Sequence, residues 1–289
     1  MDKQDIRDLL KDFVNNDAGN RVSGELALRP DLEGLKLLEP PLVGFGESGD
    51  PAFKTLKEPE VVGSHFMLPQ EWLEGAKTVI SLFFPFTAEV KASNGADMNW
   101  PSDEWLHARI EGQDFLFQAC RHVQGFLEAR GFSCLIPSLD RRFTSNISGA
   151  REKSPAGGKN RRLYYTSNWS ERHVAYVCGL GTFGLSRGLI TARGMAGRFG
   201  SILTSAPFEG DPRPYSRYDE YCTRCGACAR NCPAAAISLT EGKRHPPCAA
   251  FVDSTMEKHQ PRYGCGKCQV RVPCENGIPP ARRPIALRS

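Results

Sequence analysis

Three things are missing from this 289-residue sequence: a long apolar run, a large net charge of either sign and an internal repeat. Each absence removes a class of protein. The longest apolar stretches, such as TVISLFFPF, fall well short of the ~20 residues that cross a bilayer as a helix, so no membrane partner is expected. A formal charge of +4 is too small to imply nucleic acid by itself. The lack of self-similarity at periods of 20–50 residues excludes a solenoid or propeller. The N-terminal MDKQDIRDLLKDFVNND lacks a signal-peptide core. Its Ile6, Leu9, Leu10, Phe13 and Val14 recur instead at helical spacing, which predicts an amphipathic helix and a cytoplasmic protein.

Cysteine is abundant. Eleven are present, and without a secretion signal they point to metal or redox chemistry in a reducing compartment, where structural disulfides do not persist. Cys120, Cys134 and Cys178 are scattered, whereas the other eight crowd between Cys222 and Cys274. Before them, helix and strand patterns alternate. LPQEWLEGA reads as a short helix and KTVISLFFPF as a strand buried on both faces. In EGQDFLFQACRHVQGFLEARG, Leu116, Cys120, Val123 and Leu127 form a helical stripe, with Gly131 placed as a C-cap. FSCLIP and RFGSILTSAPF read as strands. LLEPPLVGFGESGDPAF and the basic segment 141–162 read as loops, and DPRPYSRYDEY as a connector. The expected organisation is an α/β (α+β) domain over residues 1–215 and a small cysteine-bound module with a basic tail over 216–289.

YCTRCGACARNCP places Cys222, Cys225, Cys228 and Cys232 in C-x2-C-x2-C-x3-C-P, the ferredoxin spacing. Three such thiolates wrap one [4Fe–4S] cluster, and the fourth turns away to a second. Zinc modules favour separated C-x2-C pairs. Two clusters need eight thiolates, and Cys248, Cys265, Cys268 and Cys274 complete the count. Their C-x2-C-x5-C run departs from the first motif, so the module is not a simple duplication. Electron transfer is the usual role of such clusters.

Gly179, Gly181 and Gly184 in CGLGTFGLSRGLIT spell G-x-G-x-x-G. A dinucleotide loop needs a strand before the first glycine and a helix after the second. Here a helix-like SERHVAYVC, with Ser170 as N-cap, comes first, and no acid follows at the distance that would hold a ribose. The glycines therefore need another use.

ERHVAYVCGLGTFG, GRFGSILT, CTRCGACARNCP and YGCGKCQ, together with GAKTVISLFFPF, resemble epoxyqueuosine reductase and, more distantly, the corrinoid-dependent reductive dehalogenases. The matching pieces run from about residue 75 to residue 274. The resemblance implies a nitroreductase-like, corrinoid (cobalamin)-binding α/β domain beside a ferredoxin-like double-cluster module. It implies that the glycine segment and the following strand line the corrinoid without an axial protein ligand, through Gly179, Gly181, Phe183, Gly184, Gly200, Ser201 and Thr204. The sequence also lacks the D-x-H-x-x-G motif that supplies a cobalt-binding histidine elsewhere. Glu171 matches the family's catalytic Asp, a proton donor, although the first turn of a helix favours acids in any case. The resemblance divides the ligands into Cys222, Cys225, Cys228 and Cys274 for one cluster and Cys232, Cys248, Cys265 and Cys268 for the other.

The family usually continues into helical repeats that hold transfer RNA, and this sequence stops soon after Cys274, as a short form would. The basic loop and tail are more simply read as solvated than as phosphate-binding, and nucleic acid is not the expected partner. Tyr164, Tyr165, Trp169 and Phe183 fall near the implied pocket, where core packing competes with substrate contact. The function implied is a corrinoid-dependent iron–sulfur oxidoreductase acting on a small organic or nucleoside-like substrate and fed by a low-potential donor such as ferredoxin or flavodoxin. The alternatives are an electron-transfer or corrinoid-handling protein without its own substrate, and a plain dicluster ferredoxin.

Overall fold

The structure is a computed structural model, and it describes residues 1–145 and 166–280. In chain order, helix α1 (Lys3–Asn16) precedes strand β1 (Leu42–Glu47), the short helices α2 (Pro51–Thr55) and α3 (Pro69–Trp72), and strand β2 (Thr78–Pro85). Helices α4 (Ala88–Ala96) and α5 (Asp103–Glu128) follow, then β3 (Cys134–Leu135), α6 (Glu171–Val177), the pair β4 (Gly181–Phe183) and β5 (Leu189–Thr191), and β6 (Gly197–Thr204). The cysteine-rich region adds α7 (Ala227–Arg230), β7 (Ile237–Ser238), β8 (Gly242–Lys243) and α8 (His245–His259). No helix among the described residues is long and apolar enough to cross a membrane.

The central sheet has the order β1-β2-β6-β3, and every pairing is antiparallel. β2 is buried at all eight positions. Its alternate side chains face opposite layers, as strand geometry demands. Ile80, Leu82 and Phe84 join the core beneath α1 and α5, and Val79 joins the one beneath α2, α3 and α6. A sheet covered on both faces hides the polar alternation usual in antiparallel strands, which is why β2 reads as one continuous apolar run.

The helices are fixed by local chemistry as much as by packing. The Asp2 carboxylate accepts from the backbone N–H groups of Gln4 and Asp5, and the Asp5 carboxylate accepts in return from Asp2 N. This reciprocal cap starts α1, whose Ile6, Leu10 and Val14 are buried. Ser102 caps α5 through Trp105 N at 3.2 Å. Gly131, at φ 83°, turns the chain just after that helix, as the C-cap position predicted.

Two segments differ from their sequence patterns. The glycine- and proline-rich stretch after α1, expected as loop, contains β1. Its alternation is masked by Gly44 and Gly46, which lie where Cys178 presses on the strand: a Cβ at Gly44 would stand 2.5 Å from the Cys178 carbonyl oxygen. FSCLIP, expected as a full strand, pairs only through Cys134 and Leu135, because Pro137 opens a 3-10 turn directly after it. Beyond those two residues no strand among the described residues pairs with the outer edge of β6. Most of the predicted basic loop, residues 146–162, and the tail from 281 lie outside the described residues, as do Tyr164 and Tyr165.

Candidate iron–sulfur centre and adjoining cleft

The glycine-rich segment leads from the sheet to the cysteines. Gly179 takes φ 82° immediately after α6, a conformation that suits glycine, and a Cβ there would lie 2.8 Å from the Pro212 carbonyl oxygen. At Gly181 a Cβ would stand 2.0 Å from the Ile190 carbonyl oxygen, so the tight β4–β5 pairing itself requires glycine. The segment then passes beside the thiols: Leu185 N donates to Cys222 Sγ at 3.4 Å, and Gly184 lines the cavity around which Cys222, Cys225, Cys228 and Cys274 are arranged. The letters of a nucleotide loop thus serve backbone packing at one end and a sulfur-lined cavity at the other.

That cavity is the first thiol quartet. Cys222, Cys225 and Cys228 come from the turn leading into α7, where Gly226 adopts the left-handed conformation, and Cys274 closes the ring from the far end of the module. Met195 N bonds to the Cys274 carbonyl at 3.1 Å, and Tyr221 N to Thr182 Oγ1 at 2.8 Å. Burial pushes the Cys228 and Cys274 thiols up to about 12, and the charges of Cys222 and Cys225 push both the same way. Thiols in this state give up their protons to a strongly cationic centre, since the metal ligand is the thiolate.

The second quartet shows the same electrostatic grouping. Burial raises Cys268, and the neighbouring charges of Cys248 and Cys232 add to it. Cys265, pushed up to about 12 mainly by burial, lies in the fields of Cys268 and Cys248. Ala236 N donates to Cys232 Sγ at 3.3 Å, the kind of bond that tunes cluster potential. The Asn94 side chain reaches the Cys265 carbonyl at 3.0 Å, and the fully buried Lys267 donates to Asn94 O at 2.6 Å and to Asn94 Oδ1 at 2.8 Å. The quartets adjoin, for Cys268 also lies close enough to raise Cys228. Among the described residues, no three His, Cys, Asp or Glu side chains are gathered tightly enough for a single metal ion. The first quartet surrounds a cavity, an arrangement suited to a cubane.

Beside the second quartet, the starts of α6 and β6 bring Glu171, Arg172 and Arg198 into one neighbourhood. Glu171, Arg172 and Arg198 keep water-accessible surface, yet the protein around them disfavours their charged forms through desolvation. Accessible but enclosed groups mark the wall of an inner cleft. Glu171 opens α6; Ser138 Oγ donates to its Oε1 at 2.6 Å, while Oε2 is shielded from water and has no partner. Burial raises its pKa, against the opposing influence of Ser138, Ser201 and Trp169. His173, two residues further along α6, is lowered to about 4 by burial and by Arg172, so its imidazole is neutral at pH 7. Phe183 packs against that ring at 4.7 Å.

The residues expected to contact a corrinoid divide into two groups. Gly179, Phe183 and Gly184 keep accessible surface, whereas Gly181, Gly200, Ser201 and Thr204 are buried. Gly200 faces α5, where a Cβ would meet Leu116 at 2.5 Å. Ser201 Oγ accepts from Trp169 Nε1 at 2.8 Å, and Thr204 Oγ1 accepts from Ala206 N at 3.1 Å. These four are engaged by the protein itself. Trp169 is likewise a core residue, stacked on Phe66 at 5.5 Å. Sequence reasoning assigned no role to Arg109, which belongs to no motif, or to Arg172 and Arg198, which lie inside the segments ERHVAYVCGLGTFG and GRFGSILT.

Residues 216–238 match the family model for a 4Fe–4S binding domain, which supports at least one such cluster on the Cys222–Cys232 motif. No relative is found among curated proteins. Among solved structures, a catabolic reductive dehalogenase superposes with a TM-score of 0.50 at 18% identity, over 82% of this chain and 30% of its own. An epoxyqueuosine reductase from Bacillus subtilis is 19% identical over 82% of this chain and 62% of its own, with a TM-score of 0.48. One from Streptococcus thermophilus is 18% identical over 83% and 64%, with a TM-score of 0.46. The chain spans less than two thirds of the length of any of these neighbours. It has the mixed α/β fold of the reductive dehalogenase, carrying a ferredoxin-like iron–sulfur segment at its C-terminal end.

Proposed function

We propose that the chain is a corrinoid-dependent iron–sulfur reductase with two [4Fe–4S] clusters, acting on a small organic or nucleoside-like substrate. The observation that carries this reading is the adjacency of two thiol quartets to an enclosed cleft whose wall holds a desolvated carboxyl group, in a fold shared with a reductive dehalogenase. Cys222, Cys225, Cys228 and Cys274 would hold one cluster and Cys232, Cys248, Cys265 and Cys268 the other, within a module of residues 216–289 that serves the domain of residues 1–215. Gly179 and Phe183, with accessible surface beside α6, are the candidate corrinoid contacts. Gly184 is assigned to the wall of the first quartet.

A bound corrinoid would supply a cobalt that takes electrons from the clusters and passes them to an organic substrate. The protein's own contribution is to gather the thiolates, exclude bulk water and hold a proton. Glu171 is suited to holding that proton, because desolvation favours its neutral form and Ser138 fixes Oε1, leaving Oε2 without a partner of its own. A carboxylic acid that stays protonated closer to neutrality is a better general acid there. A low-potential carrier such as ferredoxin or flavodoxin is the expected electron donor.

The test is purification and reconstitution under strict anaerobiosis, followed by titration with cobalamin. The expected result is about eight irons per chain and a corrinoid absorption spectrum retained through gel filtration. Iron without retained corrinoid would reduce the protein to a dicluster electron carrier.

A further inference from the structure

The cleft contains positive charge that the proposed chemistry leaves unused. Arg198 stands in the first half of β6, along the edge that no described strand covers, and its Nη2 donates to Gln113 Oε1 on α5. Arg109 lies four residues before Gln113, on the same face of that helix, with its guanidinium 4.3 Å from the centre of the Tyr263 ring. Arg172, in the first turn of α6, comes from the opposite face of the sheet. The three are neighbours, since Arg198 lies in the fields of both Arg109 and Arg172, and Arg172 in that of Arg109. The Nε atoms of Arg109 and Arg198 are shielded from water and have no acceptor.

Where the protein buries an arginine elsewhere it pairs it, as Arg262 is paired with Glu111, whereas arginines without a carboxylate, such as Arg21, Arg130 and Arg224, are exposed. Arg29, Arg142, Arg213, Arg217 and Arg262 each pair with a carboxylate. Among the described residues no carboxylate pairs with Arg109, Arg172 or Arg198, and Glu171, next to Arg172, is held towards its neutral form. A guanidinium does not shed its proton in proteins, and desolvated like charges are costly; the Cys268 thiolate would offset that cost at Arg172, and no carboxylate among the described residues does so at Arg109 or Arg198. Guanidinium groups gathered beside one another are relieved by an oxyanion, whose geometry they match in pairs of hydrogen bonds.

We propose that Arg109, Arg172 and Arg198 form an oxyanion site at the open edge of β6 that binds the carboxylate or phosphate group of a small organic molecule. The site stands on the arginines alone. That its ligand is the substrate rests on the reductase function proposed above.

Isothermal titration of the cluster-loaded, corrinoid-free protein with inorganic phosphate and, separately, benzoate tests this at constant ionic strength. One saturable site is expected for at least one probe, and the tighter probe identifies which anion class the site prefers. Arg172→Gln, at a water-accessible position, should weaken that binding at least tenfold with iron content and near-ultraviolet dichroism unchanged. Arg198→Gln should do the same, and Arg198→Lys should recover part of the loss. Absence of saturable binding for both probes overturns the site. So does binding that Arg172→Gln leaves intact, whether or not the Arg198 variants fold. If cobalamin is not retained but phosphate or benzoate still binds in an arginine-dependent way, the reductase function fails and the anion site stands.

Discussion

The two thiol quartets are built from interleaved stretches of one short module, yet their surroundings differ. The first, closed by Cys274, is lined by the glycine-rich hairpin and by Arg224 and Pro279. The second lies against the sheet domain: Asn94 holds the Cys265 backbone, and Cys268 lies in the fields of Lys243 and Arg172. The difference gives the pair a direction. In the proposed enzyme the second quartet is the one beside the cleft, and the first is the relay behind it.

Breaking the second quartet should have the largest effect. Cys268→Ser is expected to lower iron from about eight to about four per chain and to abolish reduction of cleft-bound cobalamin even with a chemical reductant. Cys225→Ser should lose a comparable amount of iron and retain dithionite-driven reduction. Equal loss of reduction in both variants would erase the distinction between relay and proximal cluster.

Glu171→Gln comes next. General acids contribute about 10²–10⁴-fold, so turnover should fall by that order with corrinoid retention unchanged. The same variant carries a pH signature. Because the folded carboxyl has a raised pKa, its contribution to stability is fully present below the ordinary carboxyl pKa and is lost as pH rises through the folded value. Thermal melts should show the wild type losing stability relative to Glu171→Gln as pH rises above the ordinary carboxyl range. Parallel profiles would show that the carboxyl group is not desolvated.

A smaller effect tests the route between sheet and cysteines. Gly181→Ala forces a methyl group against the Ile190 carbonyl and should cost about 1–3 kcal/mol, read as a lowered urea midpoint. An unchanged midpoint would mean that the β4–β5 pairing yields easily. The smallest expected change is at Lys243. Removing one nearby positive charge in Lys243→Gln should lower the second cluster's potential by on the order of 40 mV, about 1 kcal/mol for one electron, and leave the first cluster's potential in place. A shift confined to the first cluster would reverse the assignment of Lys243 to the second.

The legibility of the sequence followed the same division between local pattern and long-range assembly. The α1 stripe of Ile6, Leu10 and Val14, the buried run of β2 and the Cys222–Cys232 spacing were all readable, because each depends on a short period or a fixed covalent step. β1 was hidden because Gly44 and Gly46 interrupt its alternation for the sake of the segment packed on it. The glycine-rich hairpin was legible as something other than a nucleotide loop, but its contact with the first quartet was not, since Cys222 and Cys274 come from distant positions. The arginines at 109, 172 and 198 come from separate segments with no spacing pattern in common, and only the packing of α5 and α6 against β6 brings them together.

The most direct measurement is an electron paramagnetic resonance spectrum of the anaerobically reconstituted, dithionite-reduced protein with iron quantified on the same sample. Two adjacent clusters predict about eight irons per chain and a spectrum broadened by spin–spin interaction, which collapses to a single simple signal in Cys268→Ser. About four irons and a single unsplit signal already present in the wild type would contradict the two-quartet account.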